Sequence, residues 1–109
     1  MKTKERAKQF RILVPERRLT VLVARDERKY CAYCPELDLA AELETLDETI
    51  EDLLEAMQDY AEEYLAERDL YARSPNRAHH LPYVEAIAAC KDRWELRMLV
   101  EIKHGLLQL

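Results

Sequence analysis

A long amphipathic pattern between Leu46 and Leu65 constrains the fold of this chain more than any other feature of its sequence. Apolar residues recur there at spacings of three and four, which places them on one face of an α-helix. They are Leu46, Ile50, Leu53, Leu54, Met57, Ala61, Tyr64 and Leu65. Thr45 followed by Glu48 forms a capping box at the helix start. The pattern therefore predicts one helix that runs from Thr45 to about Leu70.

Three short strands are predicted before this helix. Residues 18–25 are apolar on both faces, which is typical of a central strand. A polar turn at residues 26–28 leads into a second strand over residues 30–34, which ends at Pro35. Residues 39–44 alternate between apolar and largely acidic side chains and form a third strand. Because the links between these strands are short, neighbouring strands should be antiparallel.

The two ends of the chain give further predictions. Alternation from Trp94 to Ile102 predicts a fourth strand with a polar outer face, and a weaker alternation from Phe10 to Val14 suggests a short edge strand. Residues 83–91 fit either a short helix that begins at Pro82 or a strand. The predicted fold class is α+β: a three- to four-stranded, mostly antiparallel sheet with one long amphipathic helix packed on it, in the order β-β-β-α-β.

A chain of 109 residues fits one hydrophobic core. We therefore expect residues 10–109 to form a single domain, preceded by a basic, flexible arm at residues 1–9. A helix that ends near Leu70 is roughly 38 Å long and should overhang strands of roughly 17–20 Å. Its uncovered apolar side predicts a homo-oligomer. The predicted oligomer interface consists of Met57, Tyr60, Ala61, Tyr64 and Leu65.

Charge is strongly segregated along the chain. Residues 1–35 carry ten Lys and Arg against four Asp and Glu, whereas residues 36–69 carry fourteen acids and only Arg68 as a base. Such a concentration of negative charge repels nucleic acid and attracts basic proteins, although it also suits a solvated helix face. We predict that it contacts a basic protein partner. The expected contacts are Glu44, Glu48, Glu51, Asp52, Glu55, Asp59 and Glu62.

Residues suited to catalysis or to holding a cofactor are scarce. Gly105 is the only glycine and Ser74 the only serine, so there is neither a phosphate-binding loop nor a good serine nucleophile. Cys31 and Cys34 have the spacing of a metal or redox motif, but a strand sends residues three apart to opposite faces. We expect a protein that is not an enzyme, without catalytic, cofactor-binding or metal-binding residues.

The location of the protein is expected to be the cytoplasm. No apolar run approaches the roughly 20 residues of a membrane span, and the basic N-terminus lacks the apolar stretch of a secretory signal. Three cysteines are an odd number at low density, which suits thiols in a reducing compartment. We therefore expect no membrane association.

Several short stretches resemble the HicB antitoxin family. Residues 33–38, Tyr-Cys-Pro-Glu-Leu-Asp, are similar to the family's strand that ends in Pro-x-Leu. Residues 45–49, Thr-Leu-Asp-Glu-Thr, are similar to its Thr-x-x-Glu-Ala helix start, and residues 54–56, Leu-Glu-Ala, continue the match. Together these stretches cover part of residues 18–66. The resemblance implies a β-β-β-α-β core related to a degenerate ribonuclease H fold.

The resemblance also implies a function. A HicB-like protein is an oligomer that masks a small, basic, RNA-cleaving toxin, here a HicA-like toxin. Family members often add a DNA-binding module after the core, but seven residues after the predicted last strand are too few for two helices, so no DNA binding is expected. Two alternatives remain: a stand-alone oligomeric domain of this fold without a toxin, and a metal-dependent nuclease.

Overall fold

The computed structural model describes residues 9–108, so the predicted flexible arm lies, apart from Gln9, outside the described residues. Four strands form one sheet in the order β3-β2-β1-β4. Strand β1 is antiparallel to β2 and parallel to β4, and β2 is antiparallel to β3. The strands are β1 Leu19–Asp26, β2 Lys29–Cys34, β3 Leu39–Leu43 and β4 Val100–His104.

Four helices and a short 3-10 turn lie between β3 and β4 in the chain. The helices are α1 Leu46–Ala66, α2 Arg68–Ala72, α3 Leu81–Ala88 and α4 Arg93–Leu99, and the 3-10 turn spans Ala78–His80. Helix α1 packs on β2 and β3, and α3 packs on α1. The predicted α+β fold is therefore confirmed, with three further helices inserted between the long helix and the last strand.

The predicted capping box holds the start of α1. The Thr45 hydroxyl accepts a hydrogen bond from the Glu48 amide at 3.2 Å and donates one to the Glu48 carboxylate at 2.7 Å. Thr49, which is buried, donates from its hydroxyl to the carbonyl of Thr45 at 2.6 Å, and the carbonyl of Tyr30 in β2 lies 3.3 Å away. These bonds satisfy backbone groups at the helix end and join it to the sheet.

Helix α1 is shorter than the sequence pattern predicts. It ends at Ala66, because Glu67 leaves the helical region with φ −125° and ψ 47°. The Glu67 amide still donates to the carbonyls of Glu63 and Tyr64, both at 3.2 Å, and the chain then enters α2. The predicted single helix to Leu70 is thus two helices.

The predicted strand from Trp94 to Ile102 is wrong in its first half. Residues up to Leu99 form α4, and only Val100–His104 form the strand that pairs with β1. Asp92 caps α4 by accepting a hydrogen bond from the Glu95 amide at 2.9 Å. A short run with apolar residues at every second position is compatible with a helix when only one of them has to be buried, as Leu96 is here.

The structure also decides the predictions for residues 83–91 and for residues 10–14. Residues 81–88 are helical, with Pro82 in the first turn, so the helical alternative for residues 83–91 is correct. Residues 10–14 form no strand: they pair with no strand of the sheet and are exposed, which makes the predicted edge strand wrong.

One core joins the sheet, α1, α3 and α4. Leu19, Val21 and Val23 of β1 face the buried side of α1, and Val84, Ile87 and Leu96 come from the later helices. Each such side chain contributes roughly 1.5–3 kcal/mol of burial energy. Helix α3 packs on α1, and Tyr60 and Tyr64 in the second half of α1 bond to His80 and to the carbonyl of Arg77, so this half has partners within its own chain.

Candidate partner-binding surface

The outward side of α1 and the link before it carry a row of exposed carboxylates. We call this the acidic surface and define it by Glu44, Glu48, Asp52, Glu55, Asp59 and Glu62, all of which are exposed. The row follows helical spacing, so successive carboxylates lie one turn apart. Like charges at a four-residue spacing destabilise a helix by roughly 0.2–0.5 kcal/mol per pair. The surface therefore carries a cost that an oppositely charged partner would relieve.

An exposed leucine sits beside these carboxylates. Leu43, at the end of β3, borders a groove of about 340 Å³ that is also lined by Glu48, Asp52 and Glu55 and by the ion pair of Arg93 with Glu51. A second groove of about 260 Å³ beside Leu43 is lined by Glu42, Glu44 and Lys29. Lysine and arginine have apolar stems and charged ends. An apolar patch with a carboxylate rim suits such side chains.

Glu51, a predicted partner contact, is engaged within the chain. Its carboxylate accepts a hydrogen bond from Arg93 at 2.7 Å and forms a second ion pair with Arg97, both on α4. Arg93 also donates to the side-chain oxygen of Gln58 at 2.8 Å. Hydrogen bonding to Arg97 lowers the pKa of Glu51, against the opposing effect of desolvation. Glu51 thus fastens α4 to α1, and the structure leaves the other six predicted contacts exposed.

The five residues predicted as an oligomer interface lie in the core or against it, and not on an uncovered side of the helix. Met57, Ala61 and Tyr64 are buried inside the chain, and Tyr60 and Leu65 are partly buried against its core. The premise that nothing in the chain covers them is wrong, because α3 and Tyr71 do. The homo-oligomer itself stays a prediction, but these three buried side chains offer no surface to a second copy.

A buried histidine is a feature that sequence reasoning missed. His80 is 5% exposed, and its Nδ1 lies 2.7 Å from the Tyr60 hydroxyl. The ring also lines a cavity of about 440 Å³ together with Asp38, Glu63 and Arg77. Adjacent histidines in a connection gave no sign of burial. The one available signal was Pro82, which starts a helix directly after them.

The pKa of His80 predicts a pH-dependent stability. Burial, with His79 and Arg77 nearby, lowers this pKa below the ordinary 6.5, against a smaller opposing effect of Asp38. Between pH 6.5 and the lowered pKa, the unfolded chain binds more protons than the folded chain, so the free energy of unfolding decreases as the pH is lowered.

Comparison with His80→Gln isolates this effect, because glutamine stays neutral and still reaches hydrogen-bond partners. Urea unfolding at pH 7.5 and 5.5 should show a larger loss of stability in the native protein than in the variant. The other two histidines are common to both proteins. Parallel losses in the two proteins would show that His80 titrates normally.

The cysteine pair lies on β2 as its spacing predicts. Cys34 faces the core and Cys31 the opposite side of the sheet, and both are free thiols. Burial raises the pKa of the Cys34 thiol to about 11, so it packs as a neutral group. Within residues 9–108, no three His, Cys, Asp or Glu side chains cluster as metal ligands. No helix in the same range is long and apolar enough to cross a membrane.

The fold and the acidic surface together define a small α+β domain suited to binding another protein. Its family follows from comparison with known sequences. The chain belongs to the PHD-like antitoxin family: the family model, described as antitoxin of toxin-antitoxin, RelE / RelB, TA system, matches residues 8–102. The protein is therefore an antitoxin of a toxin–antitoxin system by family. No curated protein matches the chain.

A solved structure shares this fold. It is the crystal structure of an antitoxin part of a proposed toxin/antitoxin system from Syntrophomonas wolfei subsp. wolfei. The two superpose with a TM-score of 0.73 over 81% of this chain, at 20% sequence identity. The matched region spans 64% of the length of that protein. At this identity the similarity concerns the fold alone.

Proposed function

We propose that this chain is a non-catalytic, cytoplasmic antitoxin of the HicB type, which neutralises a small, basic, RNA-cleaving, HicA-like toxin with its acidic surface. The observation that carries the proposal is the row of six exposed carboxylates from Glu44 to Glu62, beside an exposed leucine. The antitoxin family supplies the expectation of a toxin, and the HicB-like stretches around Pro35 and Thr45 suggest its type.

The chemistry of the partner follows from what it has to bind. A protein that cleaves RNA holds phosphates mainly with lysine and arginine. Carboxylates spaced along a helix can meet the same side chains and exclude RNA from them. Complementary charge mainly raises the rate of association, and that rate falls as salt rises.

Two alternatives to this proposal predict different observations. The family description names RelE with RelB, which favours a RelE-type toxin as a second candidate. A stand-alone domain without any toxin is the third. A short open reading frame for a basic protein beside the gene would favour a toxin, and its product decides between the first two candidates.

The experiment is capture of the partner from the native host with the tagged full chain, followed by association rates at low and high salt. Asp52→Lys/Glu55→Lys should slow association by roughly tenfold or more, since electrostatic steering is worth between about 10- and 1,000-fold. Glu51 is left unchanged because it pairs with Arg93 and Arg97.

The matched control is Glu67→Lys/Asp69→Lys, which changes the net charge equally at exposed positions beyond α1. Its association rate should stay within about twofold of the native value at physiological salt, where charges more than about 8 Å apart are largely screened. Equal slowing by both pairs would mean that overall charge, and not the acidic surface, controls binding.

A further inference from the structure

The segment before β1 leaves large apolar side chains without cover. We call residues 9–18 the leading segment. Phe10, Ile12, Leu13 and Val14 are between 69% and 91% exposed. Among the described residues, the hydrogen bonds that hold this segment lie at its end, where the Arg17 guanidinium donates to the carbonyl of Val100 at 2.7 Å and the Arg18 amide donates to that of Leu99 at 2.8 Å. Monomeric proteins rarely expose so much contiguous apolar surface without a partner.

The sheet has an uncovered apolar side as well. Its face away from α1 carries Leu22, Ala24, Cys31, Tyr33 and Ala40, which we call the open face. Strand register places Leu22, Tyr33 and Ala40 in one row and Ala24 beside Cys31 in the next. Leu22 and Tyr33 are 41% and 39% exposed.

A cavity deepens this face at one side. It has a volume of about 270 Å³ and lies between Leu22, Cys31 and Tyr33 of the open face and the C-terminal residues 103–108, which contribute Leu106 and Leu107 as well as Lys103 and His104. A cavity of roughly 150 Å³ is enough to hold benzene. The cavity can therefore accept an aromatic ring such as that of Phe10.

We propose that the leading segment of one copy of this chain covers the open face of a second copy, and that two copies exchange these segments in a symmetric dimer. Within one copy the segment does not cover its own sheet, since its apolar residues stay exposed. The proposal does not depend on the toxin. It also uses a different surface from the buried side of α1.

Charge complementarity supports a second copy as the partner. Arg11 stands between the apolar residues Phe10 and Ile12 in the leading segment. Charged side chains border the open face: in the sheet register Glu42 is paired with Cys31, Glu101 with Thr20 and Lys103 with Leu22, and Lys103 lies 4.0 Å from the Glu101 carboxylate. Glu36 adds a third carboxylate, held by the hydroxyl and the amide of Thr20 at 2.8 and 2.9 Å. Lys103 offsets the charge of Glu101, whereas Glu36 and Glu42 form no ion pair among the described residues, so these two carboxylates can meet Arg11 when its apolar neighbours cover the open face.

The area involved is sufficient for a stable dimer. The four exposed side chains of the leading segment present roughly 600 Å² of surface per copy. If half of this surface is buried in each of two copies, and an equal area of the open face is covered, the dimer removes about 1,200 Å² from solvent. That area is at the lower end of specific interfaces. A second copy is also present wherever the chain is, in equal amount. It is the partner that can cover a permanently apolar segment.

The first test is the mass of the full chain in solution. Sedimentation equilibrium at about 10 μM should give twice the chain mass of 12.9 kDa. Ile12→Asp/Val14→Asp should weaken the dimer by 100-fold or more, because each change places a charge in the apolar interface. Leu70→Asp, at an equally exposed leucine outside both surfaces, should leave the mass unchanged.

The second test locates the contact between copies. One variant carries Ile12→Cys, Cys31→Ser and Cys90→Ser, and the other carries Cys90→Ser and keeps Cys31. After mixing and mild oxidation, a disulfide between positions 12 and 31 can form only between two chains, and peptide mapping should find it.

Two results would overturn the proposal. One is a native chain that stays monomeric at about 10 μM. If Ile12→Asp/Val14→Asp then abolished capture of a toxin, the leading segment would bind the toxin and not a second copy. The other is a dimer that keeps its mass in that variant and forms no 12–31 disulfide.

Discussion

Replacing Tyr64 with alanine should lower the free energy of unfolding by about 3–5 kcal/mol, the range measured for large buried aromatic side chains. Tyr64 is fully buried on α1, where its ring stacks on Tyr71 with centroids 4.8 Å apart and meets the Tyr60 ring edge-on at 5.9 Å. Its hydroxyl donates to the carbonyl of Arg77 at 3.0 Å. One side chain therefore joins α1 to the segment that leads into α3.

Tyr64→Phe separates the ring from the hydroxyl. It keeps the aromatic packing and loses one hydrogen bond, which is worth roughly 0.5–1.5 kcal/mol. Urea unfolding followed by circular dichroism measures both variants, and sedimentation of the same samples reports their mass. If Tyr64→Ala left the stability unchanged but split an oligomer, the interface predicted from the sequence would be correct and the burial of Tyr64 within one chain would be wrong.

The mistaken premise about α1 has a physical origin. The prediction rests on the length of the helix compared with the length of the strands, and by that comparison no strand covers the residues after Met57. What covers them comes after the turn at Glu67: Tyr71 stacks on Tyr64, and Val84 and Ile87 of α3 belong to the same core. Their apolar character is visible in the sequence, but their return to α1 depends on the turn at Glu67, where neither glycine nor proline marks the end of the helix.

Local signals predicted the first half of the fold well. Strands β1 to β3 and the start of α1 follow from alternation, a polar turn and a capping box, all of which act between residues a few positions apart. The observed strand ends differ from the predicted ones by one residue or so. The same alternation gave a wrong edge strand at residues 10–14, because pairing needs a neighbouring strand that no local pattern can supply.

Predictions for the acidic surface also succeed where local spacing decides the result and fail where residues distant in the sequence decide it. Six of the seven carboxylates predicted as partner contacts are exposed, and for the five that lie on α1 helical spacing alone separates them from the apolar face. Glu51 differs because its partners Arg93 and Arg97 are 42 and 46 positions away. They reach it only because residues 93–99 form a helix, and those residues were predicted to be a strand.

Alanine substitutions at Leu96 and Trp94 distinguish the observed helix from the strand predicted for the same residues. The helix makes the loss of Leu96 the costlier one, and the strand makes the loss of Trp94 the costlier one. In the helix α4, Leu96 is fully buried and Trp94 is 70% exposed. Leu96→Ala should therefore lower the free energy of unfolding by about 2–5 kcal/mol, through lost burial and the cavity it leaves. Trp94→Ala should change it by no more than about 0.5 kcal/mol, as exposed substitutions usually do.

A strand over the same residues would place both side chains on one face, and the larger tryptophan would then be the costlier loss, at about 3–5 kcal/mol. Urea unfolding followed by circular dichroism ranks the two variants without relying on the fluorescence of Trp94, the only tryptophan in the chain. In the native protein that fluorescence adds an independent check, because an exposed indole should be quenched readily by acrylamide. A costlier loss at Trp94 together with protected fluorescence would restore the strand and release Arg93 and Arg97 from Glu51, returning Glu51 to the acidic surface.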